Sequence, residues 1–177
     1  MTTHLIASLA AAGFLALSQP ATPPPQATAP DPALQAFVSQ TDREWPGESR
    51  QQTITVESLT LLADAISSLG KRHGLEARVA GDLATLRAGI SRYQAGKPGT
   101  VAQAKQLRRT LIDAATAIER LVSEAEAERH PRDGRLNAIR RAAESLDGGA
   151  LLLRQPDVIE RFFHHAAEAL KRLEGTS

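Results

Sequence analysis

An all-α, up-and-down antiparallel bundle of four to five helices is the fold the sequence predicts, on three observations. From residue 54 onward apolar residues recur at spacings of three and four; nothing alternates with period two over a useful length; and the breaks between apolar stripes are short. Short connections make neighbouring helices antiparallel, and leucine interleaved with alanine lets them pack closely. A chain of 177 residues, 42% hydrophobic, supports one core of ordinary size.

The N-terminal stretch MTTHLIASLAAAGFLALSQPA holds an apolar run, Leu5 to Leu17, that is shorter than the roughly 20 residues of a spanning helix. It suits the h-region of a signal peptide over residues 1–18, with Ala16-Leu17-Ser18 as small residues for cleavage after Ser18. The n-region carries no Lys or Arg, only the terminal amine. The location this implies is periplasmic or secreted, with no stable membrane anchor after signal cleavage. Residues 19–52 are expected to form a Pro-rich flexible tail, because SQPATPPPQATAPDP forbids helix and sheet ladders over most of its length. Asp31 and Pro32 are placed to cap a short helix through Leu34, Phe37 and Val38, which Pro46 and Gly47 would end. Trp45 lies in that break and is expected to cover one end of the helical core.

The bundle domain is expected over residues 53–174. Val56, Leu59, Ala63 and Ile66 form the first stripe, and Leu75, Val79, Leu83, Leu86, Ile90 and Tyr93 the second, with Gly70 and Gly74 between them. Thr100 and Gln103 make a capping box ahead of the third and longest stripe, Ala104 to Ala125. A fourth runs from Leu136 through Ile139, Ala143, Leu146 and Ala150 to Leu153, weakened at Gly148-Gly149. Pro156-Asp157 restarts the chain for a fifth, with Ile159, Phe163, Ala166, Leu170 and Leu173 inward. A faint likeness between residues 65–75 and 142–152 reflects alanine-rich helical composition rather than a duplication.

Function enters mainly through exclusions. A formal charge of +1 offers no broad attraction for nucleic acid or anionic lipid. The lack of cysteine removes disulfides, thiolate metal sites and cysteine nucleophiles. No Glu-x-x-His occurs for a di-iron bundle, and the sole Met is the initiator, which leaves haem no Met ligand. The apolar stripes themselves contain no inward ionisable group, so no cofactor and no catalytic, cofactor-binding or metal residue is expected.

The histidines are the remaining candidates. In RFFHHAAEAL, at roughly 100° per residue, Phe162 and Phe163 fall with Ile159 on the core side, while His164 and His165 point outward in different directions. His164 has Glu160 and Glu168 four residues away on either side, a set that could hold a divalent ion weakly or be an ordinary surface ladder. The Lys-Gly of a histidine phosphotransfer module does not follow them. His73, with Lys71 and Arg72, reads as positive charge at a helix C-terminus, and His130 before Pro131 as a C-terminal cap. Tyr93 is expected at the rim with a solvated hydroxyl. Glu119, Glu124, Glu126 and Glu128 should pair with Arg132, Arg135, Arg140 and Arg141 across one hairpin. The leading expectation is an exported, non-catalytic protein-interaction or scaffold module with an unknown protein partner or homo-oligomer. The alternatives are a periplasmic metal or small-ligand sensor built on surface His and Glu, and a secreted helical enzyme.

Overall fold

The computed structural model describes residues 29–42, 50–127 and 134–175, which are all-helical apart from their connections. The stretch 1–18 expected to be a signal peptide, Trp45 and His130 lie outside them. Six α-helices occur among the described residues: α1 (Pro32–Thr41), α2 (Gln51–Arg72), α3 (Glu76–Ala95), α4 (Val101–Ala125), α5 (Gly134–Ser145) and α6 (Pro156–Glu174). The expected four to five helices are thus corrected to six. The additional member is α1, the short helix inside the expected tail. It is no appendage, because Leu34 and Phe37 are fully buried and Phe37 meets Phe163 edge to face at 6.3 Å between ring centroids.

Local chemistry sets the helix ends. Asp31 caps α1, its Oδ1 accepting from the Ala33 and Leu34 amides at 2.9 and 3.1 Å, with Pro32 in the first turn. At the end of α2, Gly74 adopts φ +68, the Leu75 amide returns to the Gly70 carbonyl and the Gly74 amide to that of Lys71. That double bond is a Schellman closure, which turns the chain directly into α3. Half of the expected capping box heads α4: Thr100 Oγ1 accepts from the Gln103 amide at 3.2 Å, but Gln103 Oε1 reaches past the cap to accept from the amide of Gly99 at 3.0 Å. Gly148-Gly149 does break the fourth stripe. α5 stops at Ser145, a single 3-10 turn occupies Leu152–Arg154, and Pro156 opens α6.

Cross-helix contacts fix the directions. Asp64 meets Arg87 between α2 and α3, Asp82 meets Arg120 between α3 and α4, and Glu119 meets Arg140 between α4 and α5. Each pair joins residues that an antiparallel neighbour brings level. α1 runs against both α2 and α6, since Asp31 reaches Ser68 and Glu174 while Phe37 reaches Phe163. The molecule therefore has two ends. One gathers Asp31, Arg72, Arg78, Glu124 and Glu174; the other gathers Gln51, Tyr93, Thr100, Asp147 and Leu152.

The core is mostly the expected apolar stripes, with Phe162 and Phe163 buried as anticipated. One expectation about it is overturned. Thr55, Ser58, Gln51, Gln103 and Thr110 are all buried, and so is Tyr93 at 1% exposure. Tyr93 is no rim residue: its hydroxyl meets that of Thr55, which donates to the Gln51 carbonyl at 2.7 Å. Satisfied hydroxyls of this kind enter a helical core at modest cost, because each proton goes to an acceptor already present.

Candidate functional site

His164 and His165 lie on the outer face of α6, His164 exposed and His165 half-buried. Their ring centroids are 6.1 Å apart, and both turn toward Glu168, with His164 Nε2 at 3.4 Å and His165 Nδ1 at 3.8 Å. Glu160 is exposed one turn earlier. No three His, Asp or Glu side chains among the described residues converge closely enough to hold a metal ion. The pair is a surface cluster around one carboxylate.

His73 caps α2 and is half-buried. Burial first, and the neighbouring Arg72 guanidinium second, hold its imidazole below the usual histidine range. The expected positive charge at this helix end therefore comes from Lys71 and Arg72. Next to it sits a clamp on α1. Asp31 accepts from the Ser68 hydroxyl at 2.7 Å and faces Arg72 Nη2 at 3.5 Å, while its own amide donates to Glu174. Burial alone would raise the Asp31 carboxyl, but Ser68, the two capping amides and Arg72 outweigh it and hold it below the ordinary value. The clamp is architectural, tying α1 to α2 and α6. Asp113 is the opposite case: burial against α3 pushes its carboxyl up, and Arg92 only partly offsets this.

The expected glutamate–arginine stitching is present in part. Glu119 receives two guanidinium nitrogens of Arg140, one at 2.8 Å. Glu124 instead pairs with Arg78 of α3 at 3.3 Å. Glu128 and Arg132 lie outside the described residues. A cleft of about 290 Å³ runs along this face of α4, lined by Thr116, Glu119, Arg120, Ser123 and Glu124. Its three charged side chains all have an opposite charge in contact.

A second cleft, of about 440 Å³, differs in that respect. It lies between the first half of α4 and the α5–α6 connection, lined by Lys105, Arg108, Arg109, Ile112, Asp147, Gly148 and Gly149. Lys105, Arg108, Arg109 and Ile112 follow the i, i+3, i+4, i+7 pattern of one helical stripe. Arg108 Nε donates to the Glu144 carbonyl at 3.3 Å, closing the end of α5 and fixing this guanidinium in the cleft. Among the described residues no carboxylate oxygen lies within 4 Å of the Lys105, Arg108 or Arg109 nitrogens. Gly148 lies close against α4: a Cβ there would sit 3.2 Å from Lys105 Cγ and 3.5 Å from Lys105 Cα. Asp147 organises the loop, its Oδ1 accepting from the Gly149 amide at 2.7 Å and its backbone exchanging two bonds with the Gln155 side chain.

This cationic stripe was missed because the overall charge averages it away. The signal is nevertheless in the sequence: residues 83–112 contain six Lys or Arg and not one Asp or Glu. Local charge is what a partner feels, since screening limits an exposed charge to a range of about 10 Å. No family model, no curated protein and no solved structure matches this chain. The candidate site therefore rests on its own chemistry, a concave surface of fixed positive charge.

Proposed function

We propose that this chain is an exported, periplasmic interaction module, without catalysis of its own, that docks a partner protein on the cleft between α4 and the α5–α6 connection. One observation carries the reading. Among the described residues Lys105, Arg108 and Arg109 have no carboxylate at ion-pair distance, while Arg78, Arg87, Arg120 and Arg140 on the neighbouring helix interfaces are paired. Like charges at this helical spacing repel, by about 0.2 to 0.5 kcal/mol per pair. The fold gains nothing from that repulsion, whereas an incoming surface of opposite charge would. Export is supported by the apolar run from Leu5 to Leu17 and the small residues before Gln19. The proline-rich stretch that follows would then act as a spacer.

The test is in-cell crosslinking followed by capture of the protein and mass measurement. A single dominant partner or a homodimer is expected, together with a mature chain beginning at Gln19. That partner should be lost from a K105E/R109E variant and retained by K171E/R161E, which changes charge equally on the outer face of α6. A clean monomer with no partner overturns the interaction reading, and an uncleaved cytoplasmic chain overturns export.

A further inference from the structure

The ligand chemistry of this cleft can be narrowed further, on the basis of the docking reading above. We infer that the cleft takes a peptide segment of the partner in which carboxylates alternate with aliphatic side chains, and that it does not take a phosphate or an anionic bilayer. Three features of the cleft point to this.

The first is the loop's backbone. A phosphate site at a glycine-rich turn works through amides aimed at the ligand. Here the amide of Asp147 donates to Gln155, that of Gly149 to the Asp147 carboxylate, and that of Ala150 to the Asp147 carbonyl at 3.2 Å. With three of the four amides from Asp147 to Ala150 committed, the loop keeps at most the Gly148 amide and not a converging set, so recognition falls mainly to the side chains of Lys105, Arg108 and Arg109. Their spacing along one helical stripe matches dispersed single charges better than one concentrated dianion.

The second is Asp147 itself. A carboxylate in the cleft wall repels a dense polyanion, but it tolerates a segment that places its own carboxylates over the cations and something neutral over the loop. The concave shape also separates this surface from a bilayer, which meets flat or convex basic faces.

The third is apolar surface. Among the described residues only two large apolar side chains stay exposed, Val101 at 39% and Leu151 at 36%. Val101 lies one turn before Lys105 on the same stripe, and Leu151 follows the glycine loop by two residues. Val101 continues the cationic stripe by one turn, Leu151 continues the cleft-wall loop and Ile112 lines the cleft itself, so a matching segment brings aliphatic side chains as well as acids. A rim of charge beside two apolar contacts is how transient peptide-binding grooves obtain specificity together with fast exchange.

The experiment is fluorescence anisotropy on the purified protein with a labelled peptide of alternating glutamate and leucine. Its glutamine counterpart, inorganic phosphate and equimolar phosphatidylcholine–phosphatidylglycerol vesicles are the comparison probes. The glutamate peptide should bind, and binding should weaken roughly tenfold or more in K105E/R109E and between about 50 and 300 mM salt. The glutamine peptide should fail, and K171E/R161E should bind like the parent. Thermal melting of each variant establishes that the fold is intact. No binding of the glutamate peptide, binding unaffected by K105E/R109E, or competition by phosphate or vesicles each overturns the inference. If the cellular partner still depends on Lys105 and Arg109 while the peptide fails, the docking reading stands and only the acidic-peptide assignment falls.

Discussion

Tyr93 shows how one side chain reorganises the reading of the core. Burial pushes its hydroxyl up to about 12, against the smaller opposing effect of Thr55, so it stays protonated throughout the neutral range. The unfolded chain ionises near 10, so between the two values the folded chain binds the extra proton and stability falls as pH rises. The fold is expected to lose on the order of 2 to 3 kcal/mol across that alkaline window, measured by urea unfolding at stepped pH. Tyr93→Phe should remove most of that dependence at a neutral-pH cost of about 0.5 to 1.5 kcal/mol. Gly89 is a second informative residue: a Cβ there would meet Thr110 Oγ1 at 3.0 Å, across a close approach of α3 and α4. Gly89→Ala should cost about 1 to 3 kcal/mol by overpacking, read as a lowered urea midpoint with unchanged slope.

At the scale of elements, α1 and α5 are the two ends of a stability range. α1 is short, yet it is held by its own cap, by Ser68 and Arg72, and by the Phe37–Phe163 contact. Asp31→Ala should therefore cost roughly 2 to 3 kcal/mol, combining a lost cap with lost buried hydrogen bonds. Acid acts on this end of the bundle in two stages. His73 is lowered in the fold, so stability begins to fall as pH drops below about 6.5, where the unfolded chain takes up the proton first. Asp31 is lowered as well, and its contribution is lost below about pH 4. A His73→Gln variant should lack the first stage and keep the second. α5 buries only Ile139 and Ala143, where α4 buries a full stripe on either side of Leu111. Its amides should exchange with deuterium well before those of α4, a contrast visible by mass spectrometry of peptic fragments.

The whole molecule was legible in outline because helical periodicity is a property of each segment by itself. Leu59 to Ile66, Leu83 to Tyr93 and Ile159 to Leu173 announce their buried faces without reference to one another. What the sequence did not disclose depends on which helix lies next to which. Nothing local tells Glu124 that its partner is Arg78, or tells Tyr93 that Thr55 waits across the interface. α1 was undervalued for the same reason: ten residues in a proline-rich neighbourhood become a core helix only when α2 and α6 supply a groove. The cationic cleft needed both the acid-free stretch 83–112 and the return of the α5–α6 connection over Lys105. With no convergent set of three metal-binding side chains among the described residues, millimolar zinc is expected to leave the melting temperature unchanged. A rise under those conditions would give Glu168 and its two histidines a role beyond surface packing.

The Asp31–Glu174 contact has a geometric consequence for the whole. It sets the first and last helices side by side at one pole, so the polypeptide enters and leaves the bundle there. Lys105 and Asp147 sit toward the other pole, along helices such as α2 that span about 33 Å. The basic cleft therefore lies at the far end of the bundle from the pole at which Ala29 and Gly175 emerge. Since the first and last described helices begin and end at one pole, the bundle could be spliced into a loop of another protein with the cleft end still free.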